Sequence, residues 1–273
     1  MKDNRQNISV ENWIEKQLSL GRYSFSSSEL KKFYDNKTEN AVLLALKRLA
    51  DKRKIFSIYK GYYLIIPPQY SNLGIIPVPL FIDAFMKFLN AEYYLAALSS
   101  AVYHGASHQQ PQEYFIVTDK KGLKSVVKKD IKINCIYVPV VPAQLLVKLK
   151  TEAGYMFISN PALTAVDIIK FEKKIGGLNR AATVLVELAE EIKEGDFNKY
   201  LLGYAPVVSL QKLGYLLENV CGKKDLADAL FEAMITENVK IFRTPLKSSK
   251  KKSGFSSDNR WKIIVNTIIE ADE

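Results

Sequence analysis

Cysteine is nearly absent from this 273-residue chain. Its two thiols, Cys135 and Cys221, stand far apart in apolar surroundings, so the residues for a disulfide framework or a zinc site are lacking. Both are expected to be packing thiols. Histidine is as scarce: His104 and His108 are four apart, but Gly105 between them breaks the helix that paired i, i+4 ligation requires, and no HExxH-type acid accompanies them. They are expected to make local hydrogen bonds, and no catalytic or metal role is assigned. A P-loop and a GxGxxG dinucleotide loop are missing too, and two histidines so close together support no Ser-His-Asp arrangement. No cofactor is expected. No run reaches the ~18 uninterrupted apolar residues of a membrane span, and the opening MKDNRQNISVENW has no apolar core of signal-peptide length. A soluble, cytoplasmic protein without membrane partners is expected.

What is present is a well-filled hydrophobic fraction, 48%, and a formal charge of +10. A soft prior of ~100 to 200 residues per domain suggests two domains. The positive balance favours a polyanionic partner. Up to residue 80, 13 Lys and Arg stand against 7 Asp and Glu, net +6; the remainder has 26 against 22, net +4. The basic excess is denser at the N-terminus.

Residues 38 to 66, TENAVLLALKRLADKRKIFSIYKGYYLII, read as one amphipathic helix followed by a basic hairpin. At about 100° per residue, Val42, Leu43, Leu46, Leu49 and Ala50 gather on a packing side, and Asn40, Leu44, Lys47, Arg48 and Asp51 on the other. The β-prone runs Ile55 to Tyr59 and Tyr62 to Ile66 flank a turn at Lys60-Gly61. Upstream, Val10, Ile14 and Leu18 with Trp13 predict a first helix over 8 to 20 that stops at Gly21. One of Ser26, Ser27 and Ser28 is expected to cap a second helix through Phe33-Tyr34, and Thr38 the third. Helix, helix, helix, hairpin in about 65 residues is the pattern of a winged helix-turn-helix.

In such a module the third helix enters the major groove. Asn40 would pair with adenine, Lys47 or Arg48 with guanine or phosphate, and Leu44 would meet a thymine methyl. Lys52, Arg53, Lys54 and Lys60 would hold phosphates, giving affinity without sequence information. The blander readings are an ordinary exposed leucine at Leu44 and a solvated helix end and turn for the charges.

Pro67-Pro68 and Pro77-Val78-Pro79 break periodic structure and mark a boundary between residues 67 and 80. The fold class expected is α+β: a winged helix-turn-helix over residues 1 to 70, a linker over 71 to 80, and a larger mixed α/β domain over 81 to 273. In the latter, Phe81 to Phe88 and Ala91 to Tyr103 look helical, with Gly105 as C-terminal cap. Strands are expected over Glu113 to Asp119 and Ile131 to Val141, separated by the cationic stretch Lys120 to Lys129.

Residues 93 to 118, YYLAALSSAVYHGASHQQPQEYFIVT, resemble the signature region of the AbiEi family, the antitoxin half of abortive-infection toxin-antitoxin pairs. NPALTAVDIIKF at 160 to 171, GGLNRAATVLVELA at 176 to 189 and RWKIIVNTIIEAD at 260 to 272 are similar to further pieces of that family's C-terminal domain. The resemblance implies a phage-defence antitoxin that represses its own operon through the N-terminal domain. It also implies a larger domain that counteracts a nucleotidyltransferase-like toxin without forming a stable complex with it. The repressor role carries onto the third helix and hairpin, while the family leaves open which bases or phosphates they touch. Without coiled-coil heptads, cooperative binding of monomers to inverted repeats in double-stranded operator DNA is expected.

Asn160-Pro161 reads as a helix start, continued by Leu163, Val166, Asp167, Ile168 and Ile169 and ended by Gly176-Gly177. Asp167 is expected to pair with a cap or a cation. Helices follow over Arg180 to Ile192, 207 to 220 and 223 to 235. A β-prone Lys240 to Arg243, a mobile loop from Lys247 to Gly254 and a buried strand from Trp261 to Ile269 close the chain. The loop's Lys247, Lys250, Lys251 and Lys252 are read first as solvated and second as touching nucleic acid. Two alternatives remain: a stand-alone regulator, and a metal-dependent nuclease using Glu113, Asp119 and Lys121. No enzyme is expected, because acids and lysines at strand ends are common in solvent-facing turns.

Overall fold

The computed structural model of the chain describes residues 8–34, 38–106, 113–129 and 131–270. In chain order the elements are α1 (Val10–Ser19), β1 (Ser24–Ser26), α2 (Ser27–Phe33), α3 (Glu39–Asp51), β2 (Ile55–Tyr59), β3 (Tyr62–Ile65), α4 (Ile82–Phe88), β4 (Tyr93–Leu95), α5 (Leu98–Ala101), β5 (Glu113–Thr118), β6 (Val126–Lys128) and β7 (Ile131–Tyr137). Then follow β8 (Leu146–Thr151), β9 (Gly154–Ser159), α6 (Pro161–Lys170), α7 (Leu178–Leu188), α8 (Lys199–Tyr204), α9 (Val207–Asn219), α10 (Lys224–Thr236), β10 (Thr244–Pro245) and β11 (Ile263–Ile264). Helices and sheets are mixed in an α+β arrangement. The chain divides into two compact units, one drawing on Met1–Tyr93, Thr118–Pro139 and Lys148–Phe157, the other on Tyr94–Val117, Val140–Val147 and Ile158–Glu273.

In the first unit the helix starts are set by hydroxyls. Ser9 accepts from the Asn12 N–H at 3.1 Å and Thr38 from the Ala41 N–H at 3.3 Å. Ser26 and Glu29 form a reciprocal capping box, the Ser26 N–H donating to the carboxylate at 2.7 Å and Ser26 Oγ accepting from the Glu29 N–H at 3.1 Å. The core gathers Trp13 and Ile14 of α1, Leu30 of α2, Val42, Leu46 and Leu49 of α3, and Ile55 and Ile65 of the hairpin. Each such side chain contributes about 1.5 to 3 kcal/mol by leaving water.

The hairpin forms as predicted, with a register shift between Ser57 and Tyr59 and Gly61 at φ +74° in the turn. A third strand, β1, joins it in the order β1-β3-β2, with Phe25 opposite Tyr63 and their rings stacked at 5.5 Å. Three residues are too few to show a period, so only the pairing reveals it. In the proline-rich segment short 3₁₀ turns form at Pro68–Tyr70 and Val78–Leu80, and Ile75, Ile76, Val78 and Leu80 are buried. Strand β6 pairs antiparallel with β7, Val126 opposite Ile133.

In the second unit the expected helix over Ala91 to Tyr103 is corrected. Tyr94 and Leu95 belong to β4, parallel to β9 with Leu95 opposite Ile158, and Ala97 at φ +49° separates the strand from α5. A helical pattern of small and apolar residues resolves into strand plus short helix because strand pairing outweighs propensity. Gly105 caps the following turn in the left-handed region at φ +77°, as expected.

Asn160 starts α6, its Oδ1 accepting from the Leu163 N–H at 2.8 Å. This helix ends at Lys170, earlier than predicted, and Gly176-Gly177 instead lead into α7. Helices α6, α7, α9 and α10 pack together. No strand forms over Lys240 to Arg243, and of the expected terminal strand only Ile263–Ile264 pairs, parallel to Thr244–Pro245. The lysine-rich loop is pinned by buried Asn266, whose Oδ1 accepts from the Lys247 N–H at 3.0 Å and whose Nδ2 donates to the Lys247 carbonyl at 2.9 Å.

Candidate nucleic-acid interface

Helix α3 divides more narrowly than its sequence suggests. Val42, Leu46 and Leu49 are buried, but Leu43 and Ala50, expected on the packing side, are exposed. The reason is the limited reach of a 13-residue helix lying on α1 and the hairpin, which shields only a stripe one residue wide per turn. The exposed surface therefore carries Thr38, Asn40, Leu43, Leu44, Lys47 and Arg48 together. Leu43 and Leu44, at 47% and 55% exposure, make an apolar spot beside two cations. Sequence periodicity found Leu44 but assigned Leu43 to the core.

The C-terminus of α3 is closed by a Schellman motif. The Lys54 N–H donates to the Leu49 carbonyl and the Arg53 N–H to the Ala50 carbonyl, both at 2.9 Å. Arg53 holds the left-handed position at φ +56°, a place usually taken by glycine. The turn thereby presents an exposed cation where the chain passes from helix to hairpin.

The four cations expected at phosphates are not alike. Lys52, Arg53 and Lys60 are exposed, the last in the hairpin turn beside Gly61. Lys54 is half-buried and paired with Glu11 of α1, with Glu15 at 3.8 Å and Lys52 itself 3.9 Å from Glu11. The Lys54 hydrogen bond and the charges of Lys52 and Lys54 hold the Glu11 carboxyl below its usual range, and Lys54 is raised in turn by Glu11. Much of Lys54's charge is thus spent on α1. Near the other end of α3, Lys31 pairs with Glu39.

In the second unit the residues of the family-like stretch serve a buried polar network. Ser99 Oγ accepts from the Phe115 N–H at 2.8 Å, Ser100 Oγ donates to the Ser159 carbonyl at 3.0 Å, and Thr164 Oγ1 donates to Ser100 Oγ at 3.0 Å. His104 Nε2 lies 2.8 Å from the Ser159 carbonyl oxygen, as donor in the Nε2–H tautomer. This is the local hydrogen-bonding role expected of it; His108 falls outside the described residues. Beside this network Asp167 is completely buried, and neither of its oxygens has a hydrogen-bond partner among the described residues. Burial pushes its carboxyl up to about 7, against the opposing pull of the Lys170 charge and the nearby Tyr94 hydroxyl. The expected cap or cation pairing is not made; Lys170 instead lies over the Tyr204 ring.

Burial also raises the thiols, Cys135 to about 11 and Cys221 to about 12, which suits packing groups. The carboxylate of Asp119 accepts from the Glu92 N–H at 2.9 Å. Among the described residues no three His, Cys, Asp or Glu side chains gather as a metal site would need. No helix among them is long and apolar enough to cross a membrane.

Known proteins similar to this chain fall into place against this geometry. No curated protein matches it. The crystal structure of the RV2827C protein from Mycobacterium tuberculosis is similar with a TM-score of 0.67 at 16% identity, covering 96% of this chain and 92% of that one. At that identity the likeness concerns fold alone. An antigenic nucleotidyltransferase-like protein from Paracoccidioides brasiliensis reaches a TM-score of only 0.35 at 12% identity, over 55% of this chain and 88% of that one, and bears on nothing further. Residues 94–219 match the family described as the AbiEi antitoxin C-terminal domain, the stretch in which the sequence resemblance begins. These residues, just under half of the chain, are similar to the AbiEi antitoxin C-terminal domain.

Proposed function

We propose that this protein is the antitoxin of a toxin-antitoxin pair and that it represses its own operon. In this reading residues 1 to 70 form a winged helix-turn-helix with α3 in the major groove, and residues 81 to 273 oppose a nucleotidyltransferase-like toxin without a stable complex. The observation that carries the DNA-binding half is the exposed face of α3, where Asn40, Leu44, Lys47 and Arg48 stand clear of the core on a helix capped by Thr38. Asn40 would read adenine, Lys47 or Arg48 guanine or phosphate, and the leucines a thymine methyl. Lys52, Arg53 and Lys60 would hold phosphates, with Lys54 contributing less because of Glu11. Monomers binding cooperatively to inverted repeats would suit this repressor. The antitoxin half rests on the match of residues 94–219 to the AbiEi antitoxin C-terminal domain.

The test is a gel-shift titration of the full chain on DNA upstream of its own gene against scrambled DNA, at two salt concentrations. Specific binding that weakens steeply with salt is expected. Lys47→Ala with Arg48→Ala should weaken it about 10-fold or more, on the scale of ~1 to 3 kcal/mol per base contact, while protection from the neighbouring toxin persists. Equal affinity for both DNAs would remove the repressor reading, and joint loss of binding and protection would remove the division of labour.

A further inference from the structure

The cationic stretch after β5 is not used in the DNA-binding role proposed for α3 and the hairpin turn. Lys120, Lys121, Lys124, Lys128 and Lys129 occupy ten residues without one acid, and all five are exposed. Two of them rest on the hairpin side of the first unit. Lys128 Nζ donates to the Ser57 carbonyl of β2 at 2.8 Å, and Lys129 Nζ to the Gly74 carbonyl at 2.7 Å. Their ammonium groups stand 5.9 and 4.7 Å from the centre of the Phe56 ring, within cation–π range. Lys129 lies at φ +49° in the turn between β6 and β7, and a Cβ on Gly74 would come within 2.5 Å of its Nζ.

A brace between two segments needs one such contact, and neutral side chains would serve. Five like charges instead repel one another, which costs free energy that an anionic partner recovers. Each ammonium keeps two N–H donors beyond the one used on the carbonyl. Two cations already immobilised lose little side-chain freedom on meeting phosphate. Ser57 lies three residues before Lys60 in the same hairpin, so the contact brings Lys128 to the hairpin whose turn carries a cation expected at the DNA backbone.

We propose that residues 120 to 129 form a second phosphate-binding element beside the β2–β3 hairpin, gripping duplex DNA without reading its sequence, with Lys128 and Lys129 as its fixed points. The proposal rests on the DNA-binding function proposed for α3 and the hairpin. It places part of the DNA grip in a segment beyond residue 80.

The test titrates the full chain over a series of salt concentrations on operator and scrambled DNA. Lys128→Gln with Lys129→Gln should lower the log–log salt slope by one to two, at about 0.9 for each phosphate no longer neutralised, and weaken both DNAs alike by about 10-fold near physiological salt. Lys128→Arg with Lys129→Arg should restore slope and affinity. Lys120→Gln with Lys124→Gln, away from the hairpin contacts, should lower the slope in the same sense and guards against mere damage to the hairpin. The proposal is overturned if both glutamine pairs leave the slope unchanged while Lys47→Ala with Arg48→Ala still weakens operator binding. A loss confined to operator DNA would overturn it as well. Absence of binding by the unaltered chain would sink the DNA-binding reading itself, and this element with it.

Discussion

At Arg53 the backbone lies at φ +56°, a region that a side chain enters at a cost of about 1 to 2 kcal/mol. The Schellman bonds around it need that conformation, and glycine would supply it freely. Arg53→Gly is therefore expected to raise stability by up to about 1 kcal/mol, less what glycine adds to the freedom of the unfolded chain. It should also reduce the salt slope of DNA binding by about 0.9, one phosphate contact. Urea melts and gel shifts on one variant decide this: no gain in stability, or no change in slope, counts against the reading of Arg53 as a strained, functional cation. Asp167 carries a different cost. Its folded carboxyl is raised from 3.8 to about 7 by burial. Below both values the group is protonated in either state; between them the unfolded chain releases its proton and the folded chain keeps it. Stability should thus fall as pH rises from 3.8 to about 7 and level off above. Asp167→Asn should flatten that dependence and stabilise the protein above pH 7 by an amount on the order of a few kcal/mol. Melts at acid and mildly alkaline pH that remain parallel for the two proteins would refute it. Neither feature is visible in sequence, where Arg53 is one more cation in a basic run and Asp167 one acid in an apolar helix.

Among the elements, α9 depends on a single missing methyl. A Cβ on Gly214 would fall well inside contact distance of the Trp261 ring, and that indole is fully buried with its Nε1–H donating to Glu218 at 2.6 Å. The ring has nowhere to retreat. Gly214→Ala should cost about 3 kcal/mol or more through overpacking, whereas Gly203→Ala in α8, with open space around it, should be neutral or slightly stabilising. Equal melting of the two variants would show that the helix can shift aside. The helical period of residues 207 to 220 is readable from the chain, but the partner at position 261 is not. Caps behave in the opposite way: Thr38 and Asn160 act within three residues of themselves, and both are legible. Strands β1 and β4 escaped notice because a strand of three residues has no pattern until its partner arrives.

For the whole molecule, the chain shares its fold with a protein to which it is only 16% identical. That persistence fits a fold specified by pattern and volume rather than by particular side chains. The same tolerance leaves exposed cations free to differ in use. In the sequence Lys47 was expected at guanine or phosphate, Lys54 at phosphate, and Lys128 within a cationic stretch. In the folded protein Lys47 is exposed, Lys54 is tied to Glu11, and Lys128 lies on the hairpin. What the amino-acid sequence alone determined is the set of local features: helix periods, hydroxyl and amide caps, the Gly61 turn, the basic balance and the family motif. These rest on interactions within about four residues or on composition. Only the tertiary structure decided which cations remain available, which acid loses its solvent, and which stretch beyond residue 80 returns to the hairpin, because desolvation and pairing depend on segments that meet only when the chain folds.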